Sequence, residues 1–116
     1  MGLFQKLKNA GGGKRPAVRV PEGPPAPVVR KRCRFSGLVQ GVGFRYEAMY
    51  LAGQLNLAGW AQNQSDGTVT VEIEGEERCA AEFLRAMRAV PRFDITDIEI
   101  EDLPPTGTGT AFRVLY

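Results

Sequence analysis

The chain has 116 residues, 43% of them hydrophobic, with 15 Lys/Arg against 13 Asp/Glu, two cysteines and no histidine. That length and composition suit one globular domain. The missing imidazole excludes Ser-His-Asp and Cys-His chemistry, no apolar run is long enough for a signal-peptide core or a membrane span, and no residue cluster has zinc-ligand spacing, so a cytoplasmic protein with no metal and no cofactor is expected.

The charge is unevenly placed. Residues 1–30 carry six basic residues (Lys6, Lys8, Lys14, Arg15, Arg19, Arg30) against Glu22 alone, a balance of +5, whereas residues 31–116 carry nine basic against twelve acidic, a balance of −3. The same opening segment holds Gly11-Gly12-Gly13 and five prolines, with only alanines and valines as apolar residues after Leu7. Such a composition buries too little surface to offset ordering entropy, so residues 1–30 read as a disordered or extended basic arm and residues 31–116 as the folded domain. A solubilising extension is the first reading of the arm. Contact with a membrane surface or nucleic acid, through Lys6 and Lys8 between Phe4 and Leu7, is the second. Met1-Gly2-Leu3-Phe4-Gln5-Lys6 lacks the Ser or Thr of a myristoylation signal.

Beyond the arm, Cys33, Phe35, Gly37 and Val39 alternate with Arg32, Arg34 and Ser36, the period of a half-buried strand. Phe44, Ala48, Leu51, Ala52 and Leu55 then recur at helical spacing and share one face of a helix. Trp60 to Asn63 and Thr68 to Ile73 are strand-like runs joined by Asp66-Gly67, a hairpin signal. Val69, Val71 and Ile73 form the inner face there, with Thr68, Thr70, Glu72 and Glu74 opposite, on a face that the charged alternation predicts to be solvated. A second helix, starting after Gly75 and ending near Pro91, carries Ala80, Phe83, Leu84 and Met87 on its inner face. Glu76 and Glu77 lie at its start and Arg85 and Arg88 at its end, as the helix dipole favours. Ile98 and Ile100 alternate with Asp97, Glu99 and Glu101 in another strand, Ile95 being out of phase in the manner of a bulge. Phe112, Val114 and Tyr116 supply a possible short final strand. The order βαββαβ predicts an α+β, ferredoxin-like sandwich, a largely antiparallel sheet with both helices on one face. Cys33 and Cys79 read first as buried free thiols, with pairing open to them if their Cα atoms come close, Trp60 and Phe44 as core or, second, pocket-wall aromatics, and Tyr46 and Tyr50 as cover for the helix surface. Glu99, Glu101 and Asp102 read as a solvated strand face, and a monomer is expected.

Gly37-Leu38-Val39-Gln40-Gly41-Val42-Gly43-Phe44-Arg45 stands where the first strand gives way to the first helix. Glycines at 41 and 43 allow positive φ, so successive N–H groups can converge on an anion. The helix start adds unpaired donors and a positive dipole end, and Arg45 adds a fork matched to two phosphate oxygens. A bend that only turns strand into helix is the plainer reading of an isolated glycine pair. Neither a Walker loop nor the dinucleotide fingerprint fits the spacing, since Tyr46 stands where the third glycine is needed. Asn63, in the strand before the hairpin, offers a carboxamide that both accepts and donates, and so can hold a water and touch a substrate; shaping the turn is its commoner job.

With those residues in place the chain resembles the acylphosphatase family. One family signature, Gly-x-Val-Gln-Gly-Val-x-Phe-Arg, is matched by Gly37, Val39, Gln40, Gly41, Val42, Phe44 and Arg45; the second, Gly-aromatic-x-x-Asn followed by Gly and Val, by Gly59, Trp60, Asn63, Gly67 and Val69. Gly75 matches a closing glycine. The resemblance covers residues 31–116 and implies an acylphosphatase that cleaves the carboxyl–phosphate bond of small acyl phosphates to carboxylate and inorganic phosphate. It implies phosphate binding by Arg45 with the backbone amides of Gln40, Gly41, Val42, Gly43 and Phe44, and catalysis by Arg45 and Asn63, the latter orienting the attacking water. The chain departs from the family at Asn56, where glycine is frequent, and at Val90-Pro91-Arg92-Phe93-Asp94, where a glycine-rich link is usual. Three other uses of such a domain stand beside this one: a non-catalytic phosphate-binding interaction module, a nucleic-acid-binding module of the same fold, and a carbamoyl-phosphate-handling module of the kind fused to larger hydrogenase-maturation proteins. The Thr68 to Glu74 strand has no aromatic on its polar face for base stacking, which counts against the second.

Overall fold

The computed structural model describes residues 18–107, 109 and 111–116. Five strands and two helices follow one another as β1 (Val28–Leu38), α1 (Phe44–Gln54), β2 (Ala58–Asn63), β3 (Val69–Glu76), α2 (Glu77–Arg88), β4 (Asp94–Leu103) and β5 (Phe112–Leu115). The sheet runs β4-β1-β3-β2-β5. All neighbours are antiparallel except β2 and β5, which are parallel. This is the expected α+β, ferredoxin-like arrangement with the short final strand added at the β2 edge.

The helical and strand periods meet in one core. Phe44, Ala48, Leu51, Ala52 and Leu55 from α1 are buried against Cys33, Phe35, Val69, Val71 and Ile73 from the sheet, and Ala80, Phe83 and Met87 from α2 join them. Each large side chain so buried contributes about 1.5–3 kcal/mol. The ring of Phe44 lies 4.9 Å from Phe35, edge-on, and 4.7 Å from Phe93. Helix α1 closes on a left-handed residue, Asn56 (φ 55°), after which the Leu57 amide donates to the Ala52 carbonyl at 2.9 Å. That is a Schellman stop, and asparagine is the non-glycine residue best suited to it. The bulge foreseen near Ile95 falls at Thr96: β1 pairs Ser36 with Asp97 and Gly37 with Ile95, leaving it without a partner.

Two expectations need correction. The open sheet face at β3 is not a solvated row, because Glu72 and Glu74 are buried under Arg30 and Arg32. Cross-strand neighbours share a face, and register sets Arg30 opposite Glu74 and Arg32 opposite Glu72. Trp60 pairs with Glu72 and so belongs to this open face rather than to the core; it is half-buried there.

The boundary expected at residue 30 also moves. Val28, Val29 and Arg30 pair with Glu76, Gly75 and Glu74 as the start of β1. Residues 18–27 run along α2, with the Arg19 amide donating to Glu82 (2.8 Å), Arg78 donating to the Glu22 carbonyl (2.9 Å) and the Glu77 amide donating to the Pro27 carbonyl (2.9 Å). The prolines suit this strap, which needs few backbone donors. The part of the arm that holds Phe4, Lys6, Leu7 and Lys8 lies outside the described residues. No helix among the described residues is long and apolar enough to cross a membrane.

Candidate active site

Topology gathers one end of the sheet. Antiparallel pairing places the end of β1 beside the start of β3, and the parallel pairing of β2 with β5 places Gln62 beside Leu115, so the C-terminal ends of β1, β2 and β5 point the same way. The 39–43 bend, the start of α1, Asn63 and the chain end at Tyr116 therefore converge.

Gly41 and Gly43 adopt φ values of 75° and 79°, and Gly43 is the N-cap of α1 without any side-chain cap. A serine or aspartate there would accept from the first-turn amides. Glycine leaves them open: the first intrahelical bond is Glu47 N–H to the Gly43 carbonyl, so the amides of residues 44–46 have no intrahelical acceptor. The helix dipole adds its positive end at the same place.

Arg45 leaves the helix toward β5, donating to the Leu115 carbonyl at 2.9 Å with its guanidinium 4.8 Å from the Tyr116 ring centroid. The Tyr46 and Tyr116 hydroxyls are hydrogen-bonded to one another. One carbonyl occupies one of the five guanidinium donors, which leaves the rest of the fork for a ligand. Asn63, at the end of β2, forms no side-chain hydrogen bond to any described residue. The bend is tied to the hairpin by Gln40, whose amide donates to the Gln64 and Thr68 carbonyls, both at 2.8 Å. From the other side Arg92 donates to the Val42 carbonyl at 2.8 Å.

Val39, Gly41, Gly43, Phe44, Arg45, Tyr46 and Asn63 line one cavity of about 120 Å³. Of the residues singled out from sequence, Gly41, Gly43, Phe44, Arg45 and Asn63 thus come together. Gln40 and Val42 do not line the cavity and act through the ties just described. The Phe44 side chain is core, and only its backbone belongs to the bend. Tyr46, read from sequence as surface cover, lines the cavity. Gln40 as a side-chain brace, Arg92 and Tyr116 went unforeseen, because each acts across more than twenty residues and no local period marks such a contact.

Two larger hollows, about 300 and 280 Å³, lie on the open sheet face. The first is walled by the paired charges of Arg34 and Glu99 and by Arg32 and Glu101; the second by Trp60, Arg30 and Arg113. Neither gathers a bend residue, so size here does not mark the chemistry. Cys33 and Cys79 are free and buried. Burial pushes the Cys33 thiol up to about 11, which leaves it un-ionised and unreactive at neutral pH.

Comparison with known proteins agrees with this fold. The acylphosphatase family model matches residues 31–114. An acylphosphatase of Clostridium acetobutylicum is 40% identical over 81 residues, covering 69% of this chain and 89% of that protein. One from Bacillus licheniformis is 34% identical over 90 residues, covering 77% and 100%. The crystal structure of acylphosphatase from Bacillus subtilis superposes with a TM-score of 0.71 at 34% identity, over 76% of this chain and 99% of that one. Full-length HypF, solved in a phosphate- and nucleotide-bound form, matches with a TM-score of 0.71 at 27% identity, but only 13% of its chain is covered. With most of the folded residues under the family model and relatives matched along nearly their whole length, the chain belongs to the acylphosphatase family of enzymes.

Proposed function

We propose that this protein hydrolyses the carboxyl–phosphate bond of small acyl phosphates, with the bend as phosphate cradle and Asn63 as the group that orients water. The observation that carries the reading is the single cavity shared by Gly41, Gly43, Phe44, Arg45 and Asn63. Phosphoryl transfer spreads charge over three equatorial oxygens, and catalysis consists mostly of positioning and charge stabilisation. The open amides at the start of α1 and the unused arm of the Arg45 fork supply donors for those oxygens. Leu115 and Tyr116 hold that guanidinium in place before substrate arrives, which lowers the entropy lost on binding. Asn63 accepts a hydrogen bond from the attacking water through its carbonyl oxygen and donates one to the phosphoryl oxygen through its NH₂. Attack of water on the phosphorus of this mixed anhydride breaks its bond to the acyl oxygen and releases a carboxylate that needs little protonation, so a site without histidine is sufficient.

The test is hydrolysis of benzoyl phosphate and acetyl phosphate with inorganic phosphate as competitor. Acceleration over the buffer rate and competitive inhibition are expected. Arg45→Ala is expected to remove at least about a hundredfold of turnover, the usual loss for a donor aimed at developing charge, while the domain stays folded. A folded Arg45→Ala protein with wild-type turnover refutes the assignment. A wild-type protein that binds phosphate without turnover makes the domain an interaction module instead.

A further inference from the structure

The Val42 carbonyl in the bend and the Glu47 carboxylate in the first turn of α1 meet the same guanidinium, that of Arg92 in the link between α2 and β4. Its Nε donates to the Val42 carbonyl at 2.8 Å and its Nη2 to Glu47 Oε1 at 3.2 Å. The Glu47 side chain is 2% exposed, while Arg92 is 40% exposed and lies over the Phe93 ring at 4.9 Å. Phe93 in turn packs on Phe44, the first residue of α1. The link that lacks the glycines expected of it thus supplies an arginine and an aromatic ring that grip the bend from outside.

Two consequences follow from elementary geometry and charge. The peptide unit between Val42 and Gly43 is planar and trans, as are the others among the described residues. Its N–H therefore points opposite to its C=O. That carbonyl is held by Arg92, which does not line the cavity, whereas Gly43 does. A carbonyl so held leaves the Gly43 N–H, on the opposite side of the peptide, available to the cavity that Gly43 lines. Gly43 has no Cβ to prevent this peptide from turning over, so a fixed carbonyl partner matters more here than in an ordinary turn. The second consequence is electrostatic. A buried carboxylate one turn into α1 repels a phosphate dianion at the helix start, and the Arg92 charge cancels it.

We propose that Arg92 is a positioning residue for the phosphate cradle, holding the Val42–Gly43 peptide in its anion-binding orientation and neutralising Glu47 beside it. This rests on the reading of the bend as the phosphate site. It concerns affinity for the phosphoryl group rather than the water attack, so the two are separable in kinetics.

The experiment measures KM and kcat for benzoyl phosphate and the inhibition constant for inorganic phosphate in wild type, Arg92→Ala, Arg92→Lys and the double variant Arg92→Ala/Glu47→Gln, with a thermal melt of each. For Arg92→Ala, KM and the phosphate inhibition constant should both rise about tenfold, the worth of a charge-assisted hydrogen bond, while kcat changes less than about threefold. Arg92→Lys, which keeps the charge and loses the fork, should fall between wild type and Arg92→Ala. The double variant should recover part of the phosphate affinity, the electrostatic share, but not all of it. Unchanged phosphate inhibition in the folded variants overturns the proposal, as does a loss confined to kcat. Full recovery in the double variant overturns the peptide-orienting half. Should Arg92→Ala not fold, Arg92→Lys decides by the same inhibition constant. A wild-type protein showing neither hydrolysis nor phosphate competition defeats the phosphate-site reading itself, whereas normal wild-type kinetics with indifferent Arg92 variants defeats this inference alone.

Discussion

Glu74→Ala is expected to cost more stability than any surface substitution in this chain. The Glu74 carboxylate is 6% exposed and accepts four hydrogen bonds: from Arg30 Nη1 at 2.9 Å, the Thr106 amide at 2.8 Å, the Thr106 hydroxyl at 3.0 Å and the Gly107 amide at 2.7 Å. Truncation leaves two backbone amides without their acceptor and leaves Arg30 with Glu72 alone. Removing one partner of a buried ion pair costs about 3–5 kcal/mol, and because Arg30 keeps Glu72 the expected loss is about 3 kcal/mol. Denaturant unfolding at neutral pH, followed by tryptophan fluorescence from Trp60, measures it as a lower midpoint at unchanged slope. The acid limb supplies a second reading. Burial by itself raises the Glu74 carboxyl, but the Thr106 and Gly107 amides, Arg30 and the Thr106 hydroxyl outweigh it and hold the group down to about 2, against an ordinary 4.5. A depressed carboxylate contributes its stability fully above the unfolded value and loses it as pH falls through the folded one. Wild-type stability should therefore decline between about pH 4.5 and 2, with Glu82 adding to the same decline because Arg85, its largest influence, holds it near 2 as well. Glu74→Gln should flatten that slope. A Glu74→Ala protein within about 1 kcal/mol of wild type, with the acid limb unchanged, refutes the reasoning.

Two further outcomes concern the site and the helix stop. Asn63→Ala should lose about a hundredfold or more in turnover while the phosphate inhibition constant moves little; an equal loss of phosphate affinity would reassign Asn63 to binding. Asn56→Ala should destabilise by about 1 kcal/mol, since alanine pays more than asparagine for the left-handed conformation at the end of α1. Urea unfolding checks this, with Asn56→Gly as the control that tolerates the same φ, and an alanine variant as stable as wild type rules it out.

The hydrophobic periods of Phe44 to Leu55, Ala80 to Met87 and Val69 to Ile73 decided the elements and their inner faces, because helix and strand spacing follow from backbone geometry alone. The glycine bend and Arg45 could be read as a candidate anion cradle for a similar reason, open amides and a fork standing in local order, whereas the part proposed for Asn63 came from the resemblance to the family rather than from its local pattern. What the chain order could not convey was contact across distance. Trp60 reads as a core aromatic by residue type, yet pairing with Glu72 puts it on the open face. Glu72 and Glu74 look solvated until register sets Arg30 and Arg32 against them. The strap over residues 18–27 has no apolar period because backbone amides, carbonyls and a few charged side chains of α2 hold it. Within the bend, sequence alone determined which residues offer the donors. Only the tertiary structure decided how those residues are held, by Gln40 reaching from the bend to the hairpin, by Arg92 from the α2–β4 link and by Leu115 and Tyr116 from β5 and the chain end beyond it. A side chain's partner is set by sheet order and register, and those emerge only when the whole core closes.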